Sequence, residues 1–309
     1  MTKKINRRSG DERQNIIDAI LASQVTSSTL TKKSDIKRYL QQYFANVPFE
    51  DLVGRKPEVM ARIALDHLEF GATRKPDRAH LRVFNPNEKE HGYASNFTFV
   101  EMVNDDMPFL VDSVAAAINR CNLSVHITVH PIISVKRDKS GKLLSVVSAE
   151  RDDASLESFI RFAVTRETDE RALKLLGKEI TSVLADVRAA VRDWGKMRQR
   201  MQETRDLLVN GPKGADPQLR TESQALLDWM VDEHFTFLGY REYKLSKRGT
   251  RTFLNAVKGT GLGLLRCDSD AHPPPELTAE MQRLRRARDW LILTKSKSRS
   301  TFHRPVLIG

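Results

Sequence analysis

Apolar positions recur at helical spacing three times in the first 78 residues. The sets are Ile16, Ile17, Ile20, Leu21; then Ile36, Tyr39, Leu40, Tyr43, Phe44; then Val59, Met60, Ile63, Ala64, Leu65, Leu68. Ser34 stands where an N-cap for the second helix is expected. Val47-Pro48 interrupts, because a residue before proline avoids the helical region. Pro57 suits the first turn of the third helix, and Gly71 its stop.

From residue 79 the period changes to two. Strands are predicted over 79–84, ended by Asn85-Pro86-Asn87, and over 95–103. The stretch Asn104-Asp105-Asp106-Met107-Pro108 is an acidic turn. The helix after it, 110–120, carries one apolar stripe of Val111, Val114, Ile118 and Cys121, and Asn122 sits where a left-handed cap is expected. In the next strand Val125, Ile127 and Val129 face one way and His126, Thr128 and His130 the other. Pro131 kinks the ribbon, and Ile133 and Val135 resume the pattern. A hairpin turn over 138–142 leads to a partner strand over 143–148, and a further strand runs over 158–165. Thr168-Asp169 then opens a long helix with the stripe Leu173, Leu176, Ile180, Leu184, Val187, Val191, Trp194. The order β, α, β, β, β, α predicts an α+β fold, a two-layer sandwich with one sheet face covered by two helices.

Residues 194–210 continue helical and more polar, and Gly211-Pro212-Lys213-Gly214 with Pro217 signals a boundary. A second module follows. It has a helix end over 226–231, strands over 235–245, 262–266 and 290–294, a rigid loop at His272-Pro273-Pro274-Pro275 and a basic helix over 276–288. The predicted organisation is a helical segment 1–78, an α+β domain 79–195, a helical linker and boundary loop 196–221, and part of an α/β module 222–309. The last residues, 306–309, read as an apolar strand without a partner, so the chain is expected to be a piece of something longer.

A 40% hydrophobic and 29% charged composition is that of a globular chain able to bury a core. No run approaches the roughly 18 apolar residues of a membrane helix. The basic start is not followed by an apolar segment, so no secretory signal is read. Cys121 and Cys267 have neither CxxC spacing nor a neighbouring histidine cluster, so reduced thiols and a cytoplasmic location are expected. The net charge of +11 is concentrated late, with eight Lys or Arg against Asp289 between Met281 and Pro305. Such a patch can meet nucleic acid or an acidic protein surface; without a nucleic-acid-binding fold, nucleic acid is not the expected partner.

Each candidate for chemistry has a plain alternative. Gly259, Gly261 and Gly263 resemble a dinucleotide loop, but Leu264 stands where the third glycine would fall, and a glycine-rich turn is the default. His126 and His130 are four apart on a strand, about 13 Å, too far for one metal ion with nitrogen bonds near 2 Å. Asp232, Glu233 and His234 have acid/base character but no nucleophile or oxyanion donor beside them in sequence. The basic stretch 298–304 can hold an anion or blunt an edge strand. The acidic turn Asn104, Asp105, Asp106, Met107, Pro108 is the strongest candidate. Helix N-terminal amides there attract a carboxylate, and adjacent acids attract an ammonium group, which together describe a free amino acid. The same residues can equally cap the helix, with Asp106 near the N-cap and Pro108 in the first turn.

The segment Val103–Ser113 (VNDDMPFLVDS) resembles the first strand-turn-helix of an ACT domain. In particular it is similar to the N-terminal ACT-containing region of the large bacterial NAD-dependent glutamate dehydrogenases. HPII at 130–133, LADVRAAVRDW at 184–194, DEHFTFLGYREY at 232–243, GTGLGLLR at 259–266 and TKSKSRSTFHRP at 294–305 carry the same resemblance in order. It implies an ACT-like domain with a regulatory and assembly role, homo-oligomer formation, a downstream catalytic domain as partner, and an amino-acid effector. It implies a parent enzyme that converts L-glutamate and NAD to 2-oxoglutarate, ammonia and NADH. No catalytic, metal or cofactor-binding position of that enzyme is found here, so no cofactor is expected in this chain and NAD is expected in the parent. Amino-acid-binding ACT domains usually carry glycine after the proline of this turn, where Phe109 stands. The other readings are a free-standing amino-acid-sensing or oligomerising ACT protein, and a nucleic-acid-binding protein working through Arg283 to Arg304.

Overall fold

A computed structural model describes residues 2–23, 26–148, 154–209, 217–266, 276–279, 282–283, 293–295 and 306–308. The chain divides into two compact units, Met1–Leu184 and Ala185–Gly309. The sequence places its boundary at 196–221, whereas this division falls inside one long helix.

The first unit begins with four helices: α1 (Thr2–Ala22), α2 (Lys33–Phe44), the single turn α3 (Phe49–Leu52) and α4 (Pro57–Phe70). Helix α2 starts one residue before Ser34. Its N-cap is Lys32, which makes no side-chain cap, so Ser34 does not cap it. A sheet of six strands follows: β1 (His80–Phe84), β2 (Thr98–Asp105), β3 (Val125–Val129), β4 (Ile132–Arg137), β5 (Leu143–Val146) and β6 (Ser155–Val164). All pairs are antiparallel, in the order β1-β2-β6-β4-β5, with β3 also on β6. Strands β3 and β4 are successive lengths of one ribbon beside β6, broken at Pro131, as the missing proline donor predicts. A single turn, α5 (Glu88–His91), precedes β2, and α6 (Leu110–Arg120) and α7 (Glu170–Val209) complete the order.

The α+β class holds, and the antiparallel sheet and the two expected helices are present. Leu110, Val114, Ala117 and Ile118 of α6 and Leu176, Ile180 and Val183 of α7 are buried, as are Val100, Met102, Ile160 and Phe162, which share one sheet face. Arg120 of α6 pairs with Glu179 of α7 at 2.9 Å. The opposite face carries Val103, Ile133, Val135 and Phe159, which share a core with Tyr39, Tyr43, Leu65 and Leu68 of α2 and α4. The N-terminal helices therefore add a layer to the sheet.

The second unit begins within α7. Its core is Met197, Leu208, Leu227, Met230 and Phe237, drawn in part from α8 (Pro217–Trp229) and the π-helical turn Met230–His234. The strand expected over 235–245 is broken into β7 (Gly239–Tyr240) and β8 (Tyr243–Arg248). Strand β8 pairs with β9 (Arg251–Ala256), which the sequence reading missed, and β7 pairs with β10 (Leu262–Gly263). The end of the chain also differs from expectation. Strand β12 (Val306–Ile308) is not unpartnered but pairs antiparallel with β11 (Leu293–Lys295). Cys267, the loop 272–275, most of the basic helix 276–288 and the stretch 298–304 lie outside the described residues.

Candidate functional site

The acidic turn is shorter than its sequence suggests, because Asn104 and Asp105 belong to β2. Successive side chains along this strand point to opposite faces of the sheet, both of them covered, so Asn104 and Asp105 are committed to different faces. Asn104 is buried, and its Nδ2 donates to the Asp105 carbonyl at 3.1 Å. Asp105 accepts from Arg74 Nη2 at 2.6 Å. Arg74 and Arg137 both clasp the fully buried Glu157, at 2.8 and 2.7 Å. Arg137 also donates to the carbonyls of Gly71 and Gly141, each at 2.8 Å. Burial acts to lower the Arg74 pKa, yet Glu157 and Asp105 outweigh it and raise it, so this group stays charged.

Asp106 takes the other side. Its Oδ1 accepts from Ser158 Oγ at 2.7 Å, and that hydroxyl lies 2.9 Å from His130 Nε2. Its backbone N–H donates to Leu156. Burial lowers the His130 pKa, with Asp106 opposing, so the ring is neutral near pH 7. This corrects both halves of the capping reading, since Pro108 precedes the N-cap and lies outside the first turn. The N-cap of α6 is Phe109, which makes no side-chain cap, and Asp106 instead binds across to β6. Met107 and Pro108 carry the chain to Phe109, at φ 70° in the left-handed region where glycine is favoured. Phe109 is 48% exposed, and Leu110 after it is buried. Chemically the turn offers an exposed carboxylate, a buried hydroxyl beside a half-buried imidazole, and the first amides of an eleven-residue helix. Asp112 in that first turn adds negative charge against an incoming anion.

The other candidates resolve into structure. His126 bonds Thr165 and lies against Phe97, while His130 serves the acidic turn, so the two work separately. His234 lies on Trp229 with Nδ1 3.1 Å from the Trp229 carbonyl. In the glycine-rich turn, Gly263 donates its N–H to the carboxylate of buried Asp193 at 2.8 Å, and Arg266 pairs with the same carboxylate. An amide that a phosphate loop would offer to a ligand is thus taken by the chain's own acid.

Sequence reasoning missed the buried charges of the sheet. Arg82, Glu101 and Arg161 face one another across β1, β2 and β6. Arg82 and Arg161 each reach Glu101 at 2.6 Å, and Asp66 accepts from Arg82 at 2.6 Å and from the Tyr93 hydroxyl at 2.8 Å. Burial raises the Glu101 pKa, but His67, Arg161 and Arg82 outweigh it and hold it at about 2. The signal was present: a glutamate within FTFVEMV and an arginine within FIRFAV are inward charges in apolar strands, and such groups need each other.

A six-stranded antiparallel sheet with α6 and α7 on one face, and a strand-turn-helix within it, defines an ACT-type α+β domain. Residues 39–180 match the family described as glutamate dehydrogenase, ACT1 domain. Proteins called NAD-specific glutamate dehydrogenase are similar along more of the chain. The one from Halomonas elongata is 34% identical over 240 residues, 77% of this chain and 15% of the relative. The one from Pseudomonas aeruginosa is 28% identical over 271 residues, 86% of this chain and 17% of the relative. Residues 39–180 belong to this glutamate dehydrogenase family as its ACT1 domain, and the chain is similar to the family's enzymes along more of its length. It spans about a sixth of the length of these relatives. No helix among the described residues is long and apolar enough to cross a membrane.

Proposed function

We propose that residues 1–309 are the N-terminal regulatory and assembly region of a cytoplasmic NAD-dependent glutamate dehydrogenase. The parent enzyme oxidises L-glutamate with NAD and water to 2-oxoglutarate, ammonia and NADH in amino-acid catabolism, and this region performs none of that chemistry itself. It works as a homo-oligomer alongside a downstream catalytic domain, and its effector is a free amino acid at the turn 104–108. The observation that supports this reading is the ACT-type strand-turn-helix on a sheet whose relatives are named for that activity. At the turn, Asp106 faces the effector's ammonium group and the first amides of α6 face its carboxylate.

Two measurements test this. Purified 1–309 with glutamate and NAD should form no NADH; glutamate-dependent NADH would remove the non-catalytic reading. Calorimetric titration with the standard amino acids should give binding that Asp106→Ala abolishes. Binding that survives Asp106→Ala moves the effector away from the turn.

A further inference from the structure

The β5 and β1 edges of the sheet are treated differently, while β3 lies off this path and pairs only with β6. At the β5 edge the strand is four residues long, and α2 reaches over its end: Arg38 Nη1 donates to the Val146 carbonyl and Gln42 Nε2 to the Val147 carbonyl, both at 2.7 Å. At the other edge, among the described residues, nothing pairs with the outer side of β1. Strand β1 has no proline, and its charged residue Arg82 points inward to Glu101 and Asp66. Of the usual devices that blunt an edge, β1 has its short length and the inward charge of Arg82, but it carries neither a proline nor a bulge, so its outer backbone groups stay open to a partner.

A groove of about 560 Å³ runs along this edge between β1 and the first turns of α7. Its floor is apolar, from Leu81, Val83 and Leu173. Gly177 leaves the wall low: a Cβ there would meet only Val83 Cγ2, at 3.8 Å. Lys174 and Lys178 stand along the rim on successive turns, against Glu170. Glu170 reaches Lys174 only at 3.7 Å, with both side chains more than three-quarters exposed.

We propose that this groove docks an extended polypeptide segment from outside residues 1–309, one that alternates apolar and acidic residues and adds a strand to β1. The open backbone supplies hydrogen bonds, and Leu81, Val83 and Leu173 take alternate apolar side chains. The ammonium groups of Lys174 and Lys178 select carboxylates, so charge complementarity names the occupant. This docking surface stands apart from the effector reading of the acidic turn and is tested without it.

The test is fluorescence anisotropy of the purified chain with a labelled, extended peptide of roughly seven residues alternating valine and glutamate. A valine–lysine peptide and a valine–glutamate peptide with a central proline serve as counterparts. The valine–glutamate peptide should bind and both counterparts should fail. Lys174→Glu with Lys178→Glu should weaken binding at least about tenfold, the loss of one good charge contact. Gly177→Phe should abolish binding by filling the groove, with helical circular dichroism unchanged. Equal binding of the glutamate and lysine peptides, no binding, or indifference to both variants overturns the proposal. A concentration-dependent dimer that Gly177→Phe dissolves also overturns it, because the occupant is then a second copy.

Discussion

His67 is buried completely, with Tyr43 Oη 3.2 Å from one ring nitrogen and the Met102 carbonyl 3.2 Å from the other. Burial lowers its pKa from 6.5 to about 4, against the pull of Glu101. The folded ring is therefore neutral where the unfolded one binds a proton. Its contribution is fully present above pH 6.5 and is lost as pH falls from there toward 4, at up to roughly 1.4 kcal/mol per pH unit. Urea midpoints measured from pH 7 to 4.5 should fall in the wild type and flatten in His67→Gln; parallel slopes would remove this account. Phe109 makes a second residue-scale case. It adopts glycine's backbone conformation while about half of the residue is in solvent. Phe109→Gly should raise stability by about 1 kcal/mol, because the left-handed strain outweighs the lost ring contact. A drop in thermal midpoint would show that the ring packs for a reason.

At the scale of elements, the hairpin joining β4 to β5 is tied to the end of α4. Arg74 N–H donates to the Gly141 carbonyl at 3.0 Å, and Arg137 bridges Gly71 and Gly141. Gly141 has φ 88°, and a Cβ there would run into the Arg74 carbonyl. Gly141→Ala should cost more than about 2 kcal/mol, read as a lowered urea midpoint. A near-neutral result would mean that the hairpin moves away cheaply. The hairpin itself was legible in Asp138-Lys139-Ser140-Gly141-Lys142, where Asp138 Oδ1 accepts from the amides of Ser140 and Lys142. Helix α6 was also legible in both limits, because one apolar stripe and Asn122, at φ 59°, mark it locally. The strands of the second unit were not. Strand β9 is cut from a mixed sequence, and it is a strand because β8 lies beside it in register from Tyr243↔Ala256 to Arg248↔Arg251.

At the scale of the whole molecule, the helices over 1–78 share a core with the sheet instead of preceding it. They bury Val103, Ile133 and Phe159, and Asp66 completes the Arg82–Glu101–Arg161 row. A chain lacking residues 1–78 should therefore lose its near-ultraviolet circular dichroism and its cooperative unfolding. An independently folded 79–195 would restore the boundary that the sequence suggests. Periodicity determined, without tertiary help, the α+β class, the order of elements from β2 to α7 and the strand-turn-helix at 98–120, since each rests on contacts between near neighbours in sequence, whereas its ACT character was implied by resemblance. Tertiary structure alone decided which charges meet and which edge stays open. Asp106 became a partner of Ser158, and Asp193 a partner of Gly263, because strand register and helix docking bring together residues 52 and 70 positions apart. No local pattern encodes such a distance: the energy of a buried charge depends on what arrives beside it, and only the folded chain sets that.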